Sequence, residues 1–187
     1  MGLSTRPTSQ VRPDVLRSTA GGFLVVWEST GSDAEEEGIF ARFVDPTGQP
    51  VDDVELRLNR KTGRTPQRPA LASDSSRFLV VWDSPTSGGE RRIAGQRLTP
   101  AGGLAGPALE LSDGAGSQTD PAVAFDDSSG RYLVVWRQQE GAGGGIAGRV
   151  FDPAARPQGE PFLIGTAGAG NSAVSREEGN STVVWER

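Results

Sequence analysis

The run Pro121-Ala-Val-Ala-Phe-Asp-Asp-Ser-Ser-Gly-Arg-Tyr-Leu-Val-Val-Trp136 decides how this chain of 187 residues folds. Its last five residues return as Phe23-Leu-Val-Val-Trp27 and Phe78-Leu-Val-Val-Trp82, and in weaker form as Ser181-Thr-Val-Val-Trp185. Those four segments hold all 4 tryptophans. They recur roughly every 50 residues, a period that points to an array or a propeller.

The match extends on both sides of the tryptophan. Upstream stand Pro13-Asp-Val-Leu, Pro69-Ala-Leu-Ala, Pro121-Ala-Val-Ala and, without the proline, Ser172-Ala-Val-Ser. Downstream stand Ile39-Phe-Ala-Arg, Ile93-Ala-Gly-Gln and Ile146-Ala-Gly-Arg. Turn pairs Asp45-Pro46, Thr99-Pro100 and Asp152-Pro153 follow, then apolar patches near Leu56, Leu109 and Phe162. Each unit reads as four short strands. The first starts after the proline, which forfeits no interior ladder bond at that place. The second is the Val-Val-Trp segment, the third begins at the isoleucine, and the fourth is the apolar patch. Turns such as Asp127-Ser-Ser-Gly130 and Pro46-Thr-Gly48 carry the residues that tight turns use.

Phe23 to Trp27 has no polar face, so the strand must be covered on both sides. Radial four-stranded blades of a propeller do this for every blade. The expected fold is therefore all-β, a β-propeller-like array of four-stranded antiparallel blades, three complete and one partial. A β-sandwich also buries strands but needs no such period. The 26 glycines and 13 prolines, with 35% apolar residues, suit short strands and tight turns better than a helical bundle.

The quoted run, followed by Ile146-Ala-Gly-Arg-Val-Phe-Asp-Pro153, resembles a repeat of large exported bacterial proteins. That repeat reads approximately Pro-Ala-Val-Ala-Phe-Asp-Gly-x-x-Tyr-Leu-Val-Val-Trp. The resemblance spans almost the whole chain. It implies a β-propeller-like fold and an extracellular or cell-surface setting, usually with no assigned enzyme activity. The first copy departs from it with a longer acidic loop, and the last stops early.

The chain reads as a single repeat domain, with repeats over about 13–68, 69–120 and 121–171 and a partial copy over 172–187. Residues 1–12 offer a possible closing strand. Starting and stopping inside a unit is explained by ring closure within the chain, by assembly of two or more chains, or by excision from a longer array. Bare apolar faces and strand edges at the ends of an open fan invite association, so the expected partner is a second copy or another protein.

The formal charge of −5 comes with no basic block, which argues against nucleic acid. No apolar run approaches a membrane span. Residues 1–14 have no apolar core and do not read as a signal peptide, so the chain is cytoplasmic or a segment without its export signal. With 0 Cys and 0 His, disulfides, thiolate chemistry, His-based nucleophilic systems and His-ligated metals are excluded. No cofactor is expected.

Carboxylates are the remaining chemistry. The loop from Ser32 to Glu37 could bind Ca²⁺, but it lacks the spaced acidic order of a calcium loop and reads as a solvated hairpin tip. Asp126, Asp127, Asp83 and Glu28 suggest a glycosidase pair. Asp83 and Glu28, however, share the slot after the tryptophan with Arg137 and Glu186, and repeated slots fall on different blades, which argues for surface positions. The segment Ser175 to Ser181 faintly resembles the box of sialidase-type propellers and reads as an ordinary hairpin turn. Arg42, Gln96 and Arg149 share a slot on the third strand. They are the candidate ligand-binding set, able to line clefts between blades, or else strand side chains bonded to a neighbouring loop. The tryptophans could stack on sugars, but their place at the end of an apolar run favours core packing.

Three functions follow. The leading one is a non-catalytic extracellular repeat scaffold or interaction module. The alternatives are a carbohydrate-binding, lectin-like propeller and a fragment of a propeller glycoside hydrolase.

Overall fold

Alternation along the second strand of each unit sends successive side chains to opposite faces, and the fold is built on that alternation. The computed structural model describes residues 4, 8–31, 37–53, 55–60, 65–140, 143–165, 172–177 and 180–185. Strands β1 (Ser9–Arg17), β2 (Phe23–Thr30), β3 (Gly38–Val44) and β4 (Leu56–Arg57) form one antiparallel sheet in chain order. Strands β5 (Gln67–Ser73), β6 (Phe78–Pro85), β7 (Arg91–Leu98) and β8 (Leu109–Glu110) form a second. Strands β9 (Ser117–Asp126), β10 (Arg131–Glu140), β11 (Gly143–Phe151) and β12 (Phe162–Gly165) form a third, and β13 (Ser172–Glu177) pairs with β14 (Asn180–Trp185). The fold is the expected β-propeller-like array of three full blades and a partial one, and the described residues contain no helix.

Phe78, Val80 and Trp82 of β6 pack with Leu24, Val26 and Ile39 of the first sheet. Leu79 and Val81 pack on the other face with Tyr132, Val134 and Trp136 of the third. Val135 and Ile146 in turn meet Val183 of β14. The aromatic, the first valine and the tryptophan of β6 and β10 thus face the preceding blade, while the leucine and the second valine face the following one. Trp82 and Trp136 are only 2% and 1% exposed, so they serve the core. Burial of a side chain that large contributes roughly 2–4 kcal/mol. On β2, Val25 and Trp27 join Phe40 and Val44 on the face away from the second sheet.

The proline is not the first residue of its strand. β1, β5 and β9 begin earlier, and each proline sits where pairing with the neighbouring strand slips. Arg12, Arg68 and Asp120, the residues just before Pro13, Pro69 and Pro121, have φ of 50°, 55° and 55°. A bulge accepts the missing N–H of proline within a strand. The left-handed conformation before it costs about 1–3 kcal/mol and needs support from its surroundings.

β1 packs on β5, β5 on β9 and β9 on β13. The first strands therefore gather around a common axis and bring the three bulges together. Gly95 in β7 allows close packing at the outer side, since a Cβ there would stand 2.8 Å from Leu111 Cδ1. Residues 1–3 and 5–7 of the possible closing strand lie outside the described residues, while Ser9, Gln10 and Val11 pair with β2. Ser32–Glu36 of the acidic loop also lie outside them. β13 and β14 pair up to Glu177 and Asn180, with 178–179 outside the described residues. Among the described residues no helix is long and apolar enough to cross a membrane.

Candidate functional site

Arg42, Gln96 and Arg149 occupy equivalent places on β3, β7 and β11. Each donates to a main-chain carbonyl 10 residues on: Arg42 Nη2 to Asp52 at 2.6 Å, Gln96 Nε2 to Gly106 at 2.9 Å and Arg149 Nε to Gly159 at 2.8 Å. Arg42 and Gln96 are buried. These donors fasten the excursion between the third and fourth strands of each blade, away from the axis.

Asp126 and Asp127 lie at the β9–β10 turn. Asp126 accepts from Ser128 N at 3.0 Å, Ser128 Oγ at 2.7 Å and Ser129 N at 3.3 Å. Hydrogen bonds from Ser129 and then Ser128 hold its carboxyl well below the usual range. That turn is at the opposite end of β9 from Asp120.

Glu28 and Asp83 are not surface residues: they are 1% and 0% exposed. The slot after the tryptophan lies across from the bulge, and the carboxylate turns inward onto the strained backbone. Glu28 Oε2 accepts from Arg12 Nη1 of its own blade at 2.9 Å and from the Arg68 main-chain N–H of the next blade at 3.0 Å. Asp83 repeats this arrangement. It accepts from Arg68 Nη1 at 3.2 Å, from the Asp120 N–H of the next blade at 3.2 Å, and from Arg91 Nε at 2.5 Å. Burial pushes the Asp83 carboxyl up, and Arg91, the Asp120 amide and Arg68 pull it back. Buried charge is tolerated where donors of this kind surround it.

In the third blade the charges are exchanged. Asp120 stands in the bulge and Arg137 in the slot after the tryptophan. Asp120 Oδ1 reaches back to Arg68 Nε of the preceding blade at 2.7 Å. Arg137 is exposed, and its guanidinium has no hydrogen-bond or ion-pair partner among the described residues.

The bulges frame a cleft of about 520 Å³, lined by Arg12-Pro13, Arg68-Pro69, Asp120-Pro121, Asp14 and Arg137. Asp14 stands where the other copies have Ala70, Ala122 and Ala173. Its Oδ2 accepts from the Leu71 amide at 3.0 Å and its Oδ1 from the Val15 amide at 2.8 Å. Burial pushes its carboxyl above the ordinary value, against the pull of the Leu71 and Val15 amides. Among the described residues the cleft therefore holds two carboxyls in unlike surroundings, one raised by burial and one beside a guanidinium. That division suits acid–base chemistry. Prolines supply apolar wall and the charged groups supply fixed polar contacts. Sequence reading missed Asp14, and its one signal was an acid in a column of alanines. A second cleft of about 550 Å³, lined by residues including Asn59, Trp82 and Ser84, has Glu110 as its one carboxylate and offers no such pair. Among the described residues no group of acidic side chains is arranged to hold a metal ion.

No protein-family model matches the chain, and no curated protein matches it. Solved structures do. A thermostable family-43 glycoside hydrolase superposes with a TM-score of 0.66 at 15% identity, over 95% of this chain and 64% of its own. An endo-arabinase from Bacteroides thetaiotaomicron gives 0.66 at 15% identity, over 99% of this chain and 73% of its own. A β-xylosidase/α-arabinofuranosidase from a compost microbial metagenome, in complex with xylotriose, gives 0.58 at 13% identity, over 94% of this chain and 69% of its own. This chain thus spans less than two thirds of the first of these, and at such identities the likeness is one of fold.

Proposed function

We propose that this chain is a carbohydrate-active propeller of glycoside-hydrolase type, with the axial cleft as its saccharide site. The observation that carries the reading is the pair Asp14 and Asp120, set on two inner strands around one polar cleft. Asp14, with its carboxyl raised by burial, is the proton donor to a departing glycosidic oxygen. Asp120, paired with Arg68, is the second carboxyl group, the one that activates water or meets the anomeric carbon. The likeness in fold to sugar-cleaving enzymes supports this reading. The test is hydrolysis of aryl glycosides and of arabino- and xylo-oligosaccharides, with Asp14→Asn and Asp120→Asn as separate variants checked for folding by circular dichroism. Turnover abolished by either change supports the assignment. Binding without turnover leaves recognition and removes the hydrolase; neither binding nor turnover removes both.

Exposed apolar side chains favour a second reading. Phe162, Leu163 and Val184 are 45%, 67% and 57% exposed on the third and partial blades. They suit a non-catalytic interaction module in an extracellular repeat protein, associating with itself or another protein. Light scattering that finds only monomer at high concentration rules out the self-association.

A further inference from the structure

We propose that the saccharide taken by the axial cleft is acidic, and that Arg137 binds its carboxylate. This deepens the carbohydrate reading and rests on it.

The argument starts from the charge exchange in the third blade. In the first two blades an arginine in the bulge meets an acid in the slot after the tryptophan, as Arg12 with Glu28 and Arg68 with Asp83. Those acids are buried, and each also holds the next blade's bulge amide. Aspartate and arginine change places in the third blade, yet they do not complete the same pair. Asp120 turns to Arg68 instead. The cleft arginines of the first two blades are thus committed to Glu28, Asp83 and Asp120. Arg137 lines the same cleft, is exposed, and has no such partner among the described residues.

An arginine cannot accept a main-chain N–H, so Arg137 cannot do for the following blade what Glu28 and Asp83 do. What it offers is a planar fork of donors that matches a carboxylate in a bidentate pair. The Asp14 carboxyl of the same cleft is engaged by the Leu71 and Val15 amides, whose N–H groups offset the repulsion that an incoming anion meets. A uronic-acid residue supplies such a carboxylate on a sugar ring, and the prolines that line the cleft with Arg137 give that ring an apolar wall.

Calorimetric titration at low ionic strength tests this. The probes are a xylo-oligosaccharide bearing a glucuronic-acid branch and the same oligosaccharide after reduction of its carboxyl to the alcohol. The acidic form is expected to bind about tenfold more tightly, equivalent to roughly 1.4 kcal/mol. The ratio should fall to about one in Arg137→Gln and be kept in part by Arg137→Lys. Added salt should shrink it in the native protein. Equal binding of the two forms, or a preference that survives Arg137→Gln, overturns this inference and leaves the saccharide reading standing. Binding of neither form overturns both.

Discussion

The first two seams between blades and the third are built from the same sequence columns but perform different tasks. Between the first and second blades, and between the second and third, a buried carboxylate after the tryptophan reaches across to a strained main-chain amide. Both seams are also filled by large apolar clusters, with Trp82 in one and Trp136 in the other. At the third seam the described residues Val135 and Ile146 meet Val183, and the column holds the exposed Arg137. The difference teaches that a repeat can use one slot for cohesion in two copies and leave it exposed to solvent in a third.

Substitutions can break that comparison, and the largest effect belongs to the packing. Trp136→Ala should destabilise the chain by about 3–5 kcal/mol in urea melts. A much smaller loss would mean that the seam does not depend on its tryptophan. Asp83→Ala leaves Arg68, Arg91 and the Asp120 amide without their shared acceptor, and it should cost about 3–5 kcal/mol. Glu28→Ala strands fewer donors, since Arg12 can turn to water, and about 1–3 kcal/mol is expected. If Glu28→Ala is neutral, the carboxylate tie is not what holds the first seam.

The contribution of Asp14 should depend on pH. The folded protein holds the Asp14 carboxyl above its ordinary value, so the folded state binds that proton more readily than the unfolded chain. The group therefore costs stability above the raised value and ceases to cost it as the pH falls through the ordinary carboxylate range. Acidification toward about pH 4 should therefore raise the melting temperature of the native protein relative to that of Asp14→Asn. A relative fall on acidification would refute the assignment. Arg137→Gln should shift stability by no more than about 0.5 kcal/mol, because that exposed side chain makes no hydrogen bond or ion pair among the described residues.

The blades were legible because burial on both faces leaves an apolar run that no turn or loop imitates, and Phe78 to Trp82 lies between two such blades. The prolines were misread as strand starts. A bulge removes one residue from the pairing without changing composition, so Pro69 looks the same at a strand's first position and inside its kink. The buried acids were misread for a related reason. Glu28 and Asp83 repeat, and repetition suggested a surface, whereas what repeats is a strained amide that needs an acceptor. The exchange of Arg68 and Asp83 for Asp120 and Arg137 was present in the aligned columns, but it shows only when the bulge and slot columns are compared. The cleft itself depends on how inner strands far apart in the chain converge, and no local pattern encodes that. Arg42, Gln96 and Arg149 form a true column whose partners are loop carbonyls; polarity alone does not distinguish that duty from a ligand's.

The facing rule of the second strands also bears on how the protein is made. A ribosome delivers the chain from its N-terminus, and blades become available one after another. Because Trp82 and Trp136 point toward the blade already synthesised, each large side chain emerges to find its receiving surface in place. What waits uncovered for the next blade is a leucine and a valine, such as Leu79 and Val81. From the second blade onward the nascent chain therefore does not hold its tryptophan face open while translation catches up, and growth proceeds with a modest sticky front.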